Sequence, residues 1–154
     1  MIRFHFPGCG GTLQVLMLLL LALIAAVACN EKIYTGDVDC DECYTEKPEK
    51  ADLVLEVTLN NVFKAVPVEV FEGEVEDNHL VYSDTAYASP FFVYVPANKK
   101  YAVKATYRKD EKTLYVINTT KLKVLLVTDA CDDNCYVIEN ENVDVRIKDE
   151  FKDF

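Results

Sequence analysis

From Ala51 onward, apolar and polar residues alternate with a period of two. Leu53, Leu55, Val57 and Leu59 share one face, while Asp52, Glu56, Thr58 and Asn60 take the other. Val66, Val68 and Val70 alternate with Pro67 and Glu69. Tyr101, Val103, Ala105 and Tyr107 alternate with Ala102, Lys104, Thr106 and Arg108. The same rhythm returns in Leu122, Val124 and Leu126, and again in Val143, Val145 and Ile147. Period two is the mark of half-buried strands, and no window here carries a helical stripe. The pattern predicts seven to nine strands, at about 51–60, 64–72, 79–84, 90–95, 100–109, 112–118, 121–128, 135–139 and 143–148. Short strands at this spacing predict an all-β fold, a sandwich of two antiparallel sheets. Beyond residue 29 the glycines are Gly36 and Gly73, so the turns must use Asn and Asp, which tolerate left-handed backbone. Candidates stand at Asn60-Asn61, Asp77-Asn78, Asn98, Asn118, Asp132-Asp133-Asn134, Asn140 and Asn142. Pro67 suggests that its strand is an edge strand or carries a bulge.

The N-terminal region follows a different rule. Val15 to Ala28 is an unbroken apolar run, VLMLLLLALIAAVA, preceded by a segment whose one basic residue is Arg3. It is shorter than the roughly 20 residues a membrane-spanning helix needs, and its length suits the apolar core of a signal peptide. Ala26-Val27-Ala28-Cys29 then gives way abruptly to Asn30-Glu31-Lys32. This stretch resembles the lipobox of bacterial lipoproteins. The resemblance implies cleavage before Cys29, lipidation of Cys29 and anchoring in a membrane. With Asn30 rather than aspartate after the cysteine, it further implies the outer membrane. An ordinary secretory signal cut near Ala28 and a short membrane span are the competing readings. The organisation expected is a signal peptide over 1–28, a lipidated cysteine and polar tether over 29–50, a β-sandwich over 51–148 and a tail over 149–154.

Within the sandwich, Val66-Pro67-Val68-Glu69-Val70-Phe71-Glu72-Gly73 is followed by Ser83-Asp84-Thr85. Phe91-Phe92-Val93-Tyr94-Val95-Pro96 and Tyr101-Ala102-Val103 come next. About forty residues here resemble the transthyretin-like sandwich of carboxypeptidase-regulatory and Cna-B-type modules. The resemblance implies a stalk, adhesin repeat or accessory domain. Some of those modules carry Lys–Asn isopeptide bonds, but the final strand, Val143 to Ile147, offers no Asn acceptor. As a whole the chain resembles the small lipoproteins of Bacteroidetes.

Charge narrows the partners. The 154 residues carry 16 Lys+Arg against 26 Asp+Glu, a net charge of -10. That balance excludes a nucleic-acid partner, which would need a basic stripe. No glycine-rich phosphate loop is present. Beyond residue 29 the chain has one histidine, His79, and two serines, Ser83 and Ser89, with no nucleophile elbow. The chain is therefore expected to be non-catalytic and to need no cofactor. Its expected partners are the membrane, through the lipid, and a glycan or protein ligand. Asp37-x-Asp39-x-Asp41 copies the start of a calcium loop, but Glu42 stands where the loop needs glycine.

Besides Cys9 and Cys29, two close pairs remain, Cys40-x-x-Cys43 and Cys131-x-x-x-Cys135. An even count in an oxidising compartment predicts disulfides, with the pairing left open. Links between tether and hairpin would each close a loop of about 90 residues and contribute on the order of 4–5 kcal/mol; a local loop would contribute about 2. The alternative is a tetrathiolate zinc site or a thiol-redox centre built from the same four residues. Asp39, Asp41 and Glu42 oppose the redox reading, because they raise thiol pKa values.

Two further features are candidates for surface function. Tyr82, Tyr87, Phe91 and Tyr94 surround one loop and are candidates for an aromatic platform for a ligand; the competing and favoured reading is that they are strand packing in the core. Asp84-Thr85-Ala86 matches the short O-glycosylation sequon of Bacteroides-like bacteria, which makes Thr85 a candidate acceptor in an exposed loop. Asn118-Thr119-Thr120 is an N-glycosylation sequon, irrelevant in an ordinary bacterium.

Overall fold

The computed structural model describes residues 38–128 and 131–148. The signal segment, Cys9, Cys29 and the 149–154 tail lie outside them. Nine strands follow one another: β1 (Lys50–Glu56), β2 (Val66–Glu72), β3 (Leu80–Ala86), β4 (Phe91–Pro96), β5 (Lys100–Lys109), β6 (Lys112–Lys121), β7 (Lys123–Val127), β8 (Cys135–Glu139) and β9 (Asn142–Asp144). Two single 3-10 turns, Cys40–Glu42 and Val75–Asp77, are the helical elements among the described residues. None is long and apolar enough to cross a membrane.

The strands form a four-stranded sheet ordered β3-β2-β5-β6, a three-stranded sheet ordered β4-β1-β9 and a β7-β8 hairpin. Pairing is antiparallel except between β1 and β9, which run parallel through Val54↔Asn142, Leu55↔Val143 and Glu56↔Asp144. The fold is an all-β sandwich. Its core is the odd-numbered face of β1 and β4 set against the face formed by the even residues of β2 and the odd residues of its partner β5. Leu53, Leu55, Val66, Val68, Val70, Val103 and Ala105 are wholly buried there. Even residues of β4 and odd residues of β6, such as Tyr94 and Tyr115, face solvent. This is the alternation of a sheet with one wet face.

Tyr107 ties the two sheets together. Its hydroxyl donates to the Val145 carbonyl at 2.8 Å and accepts from the Thr58 amide at 3.0 Å. Phe63 meets its ring edge-on at 5.3 Å between centroids. The final strand continues in effect past Asp144, because Val145 N donates to Glu56 O and Ile147 N to Thr58 Oγ1. Tyr101 is equally buried and donates to the Pro96 carbonyl at 2.6 Å. Burial, together with the nearby Glu72 carboxylate, pushes the Tyr101 phenol up to about 12.

The turn chemistry follows expectation at Asn78, Asn98 and Asn140, which adopt positive φ. Asp110 does the same in the β5–β6 turn. Asn60 acts differently, its Oδ1 accepting from the amides of Val62 and Phe63. Asn118 lies inside β6 rather than in a turn. Gly73 has φ +90, and a Cβ there would stand 2.6 Å from Asp77 Oδ2. That carboxylate accepts from the Glu74 amide at 2.9 Å, so only glycine fits the turn.

One expectation is half corrected. β2 is an interior strand, between β3 and β5, although it contains Pro67. The proline is tolerated because pairing with β5 begins only at Val68↔Ala105, one residue later. The expected bulge does occur, as a register shift between Val70 and Phe71.

Candidate functional site

The four cysteines come together where the segment before β1 crosses the β7-β8 hairpin. Cys40 is paired with Cys131 and Cys43 with Cys135, with Cα–Cα separations of 5.8 and 5.7 Å. Of the connectivities the sequence left open, the structure takes one that joins tether to hairpin. The backbone prepares the contact. Tyr44 and Tyr136 exchange amide-to-carbonyl hydrogen bonds at 2.9 and 2.7 Å, so the tether adds a short antiparallel bridge to β8. Asp39 Oδ1 caps the Cys40–Glu42 turn through the Asp41 amide at 3.0 Å, and this turn sets the two tether sulfurs on the hairpin. The Cys43, Cys131 and Cys135 sulfurs all lie within 4.8 Å of one another. Cys135 is buried, Cys43 and Cys131 are half-buried, and Cys40 is exposed.

Beside the clamp lies a cleft of about 350 Å³ between the tether and β8. Val38, Tyr44, Val137 and Ile138 supply apolar walls; Asp39, Glu42 and Glu141 supply carboxylates. Burial raises the Glu141 carboxyl above its ordinary range, and the charges of Asp52 and Glu42 add to the effect. The Asp37-x-Asp39-x-Asp41 run makes no calcium loop within the described residues. Asp39 is used as the turn cap, and Asp37 lies outside them.

The four aromatic candidates fall in three places. Phe91 points inward with Val93 and Val95, packs against the core and meets Tyr82 at 6.4 Å between ring centroids. Tyr94 is two-thirds exposed (65%) on the opposite face of β4. The aromatic beside it is Phe92, also exposed, which the sequence reading passed over. Strand parity gives the reason: residues an odd number apart point to opposite faces, so Phe91 and Tyr94 cannot share one. Lys50 sits over the Tyr94 ring at 5.8 Å. Tyr87, 74% exposed, projects from the loop before β4.

Thr85 falls within β3, half-buried at the edge of the four-stranded sheet opposite Pro67, and not in a loop as expected. Its amide is held by Asp84 Oδ1 at 2.7 Å. His79 is an exposed turn residue whose carbonyl accepts from Glu72. Ser89 Oγ accepts from the Val57 amide. No family model, curated protein or solved structure matches the chain.

Proposed function

We propose that the chain is an exported, lipid-anchored protein of the cell envelope. Its β-sandwich acts as a non-catalytic accessory, adhesion or binding module. The observation that carries this reading is the pair of long-range cysteine links, with sequence separations of 91 and 92 residues. Such links form and persist in oxidising compartments and are rare where thiols are kept reduced. The apolar run ending at Ala28 agrees with export, and Cys29 after it would carry the lipid anchor.

The ligand-facing groups in this reading are Tyr94, Phe92 and Tyr87, three exposed aromatics on and next to β4. The test is metabolic labelling with a radioactive fatty acid, compared between the parent and Cys29→Ser. The parent should take up label and fractionate with the outer membrane; the variant should do neither. Undiminished labelling of the variant would remove the anchor from this reading.

A further inference from the structure

We infer that the cysteine cluster is also a latent metal site, closed when oxidised and able to hold one zinc ion when reduced. A tetrahedral zinc thiolate site, with Zn–S near 2.3 Å, needs its sulfurs about 3.8 Å apart. The Cys43, Cys131 and Cys135 sulfurs already lie within 4.8 Å of one another, and Cys40 is bonded to Cys131. Opening the two S–S bonds lets bonded sulfurs move apart toward that spacing; among Cys43, Cys131 and Cys135 the non-bonded sulfurs need to close by at most about 1 Å, and the exposed Cys40, next to Cys131, swings in as the fourth ligand. Side-chain rotation covers such distances with the Cα atoms left in place. The Tyr44–Tyr136 bridge joins the same two segments and favours the same approach once the links are open, and zinc would restore the cross-link that reduction removes.

The chemistry is a two-stage exchange. A dithiol reductant attacks the exposed Cys40 side of the first link, and a second equivalent opens Cys43–Cys135. Each S–S bond accepts two electrons and two protons, and each dithiol leaves as a cyclic disulfide. Zinc then binds the four sulfurs and releases their four protons, because a coordinated thiol is deprotonated outright. Asp39, Asp41, Glu42, Asp132 and Asp133 adjoin the cysteines in sequence. Their negative field disfavours bare thiolates and favours an arriving cation.

The test uses the full chain in detergent, with Cys9→Ser and Cys29→Ser so that these four cysteines are the only thiols. Protein reduced by a dithiol and desalted anaerobically is titrated with cobalt, beside oxidised protein. The reduced form should take up one cobalt per chain with thiolate-to-cobalt charge-transfer bands and tetrahedral visible bands, bleached by zinc. Zinc should also raise the melting temperature of the reduced protein, and the oxidised form should show no bands. Cys131→Ser should bind at least about tenfold more weakly. Absence of bands in the reduced chain would overturn the inference. So would bands without any thermal shift, which would signal binding to unfolded chain, or binding undiminished in Cys131→Ser. None of these outcomes bears on lipid labelling at Cys29, so the two readings fail separately.

Discussion

The two cysteine links should stabilise the sandwich in a strongly non-additive way. Each closes a loop of 91 or 92 residues when it is the only link. The chain-entropy treatment gives about 4.6 kcal/mol for such a loop. Once Cys40–Cys131 is closed, however, Cys43 and Cys135 are separated by only a few residues on either side of it. The second link then closes a ring of about seven residues and contributes about 2.3 kcal/mol. Removing either pair alone, as Cys40→Ala with Cys131→Ala or Cys43→Ala with Cys135→Ala, should therefore cost about 2 kcal/mol. Removing both pairs should cost about 7 kcal/mol, enough to unfold many domains of this size. The assay is urea denaturation without reductant, followed by tyrosine fluorescence, on the parent, the two double variants and the quadruple variant. A cost near 4–5 kcal/mol for each pair, with a sum that simply adds, would refute the shared-ring argument. Equal stability of all four proteins would refute the entropic account altogether.

Two further outcomes follow from the buried phenols. Tyr107→Phe removes one hydrogen bond to Val145 O and one from Thr58 N, and leaves the packing on Phe63 intact. It should cost about 1–3 kcal/mol in the same denaturation assay, because the two backbone groups lose their partner inside the fold. Tyr101, raised to about 12 from an ordinary 10.0, makes stability sensitive to alkali. The neutral phenol is the form favoured by folding, so its contribution is complete below pH 10 and is lost as pH rises toward 12. Tyr101→Phe should flatten the fall in stability across that window, measured by thermal melts at stepped pH; an unchanged profile would assign the fall to other groups.

Much of the architecture was legible because one signal, alternation, repeats along the chain. Each of the nine expected strands has its counterpart, and Leu53, Leu55, Val103 and Ala105 are buried as their parity requires. The same signal, applied to β4, would have put Phe92 with Tyr94 and sent Phe91 inward with Val93. The misplaced platform came from grouping aromatics by nearness in sequence instead of by face. Other features have no local signature. That β2 is interior depends on β3 and β5 arriving on its two sides. The parallel β1–β9 pair depends on the chain returning after the hairpin. The cysteine pairing depends on the Tyr44–Tyr136 bridge, a contact between segments far apart in sequence.

The clamp also sets where tension travels. Pulling on the chain before Cys40 and after Asp144 would send force across the Cys40–Cys131 link and on along the hairpin. Residues between Cys43 and Cys131, which include β1 to β7, hang in a covalent ring outside that line. The hold that must yield is the last segment's grip on the sandwich: three β9–β1 register pairs, the Val145 amide, the Tyr107 hydroxyl on the Val145 carbonyl and the Ile147 amide on Thr58. A molecule tugged at its ends would thus peel its last strand while six strands of its sandwich and the hairpin strand β7 stay unloaded. Cutting the links would put the whole sandwich under strain at the same applied force.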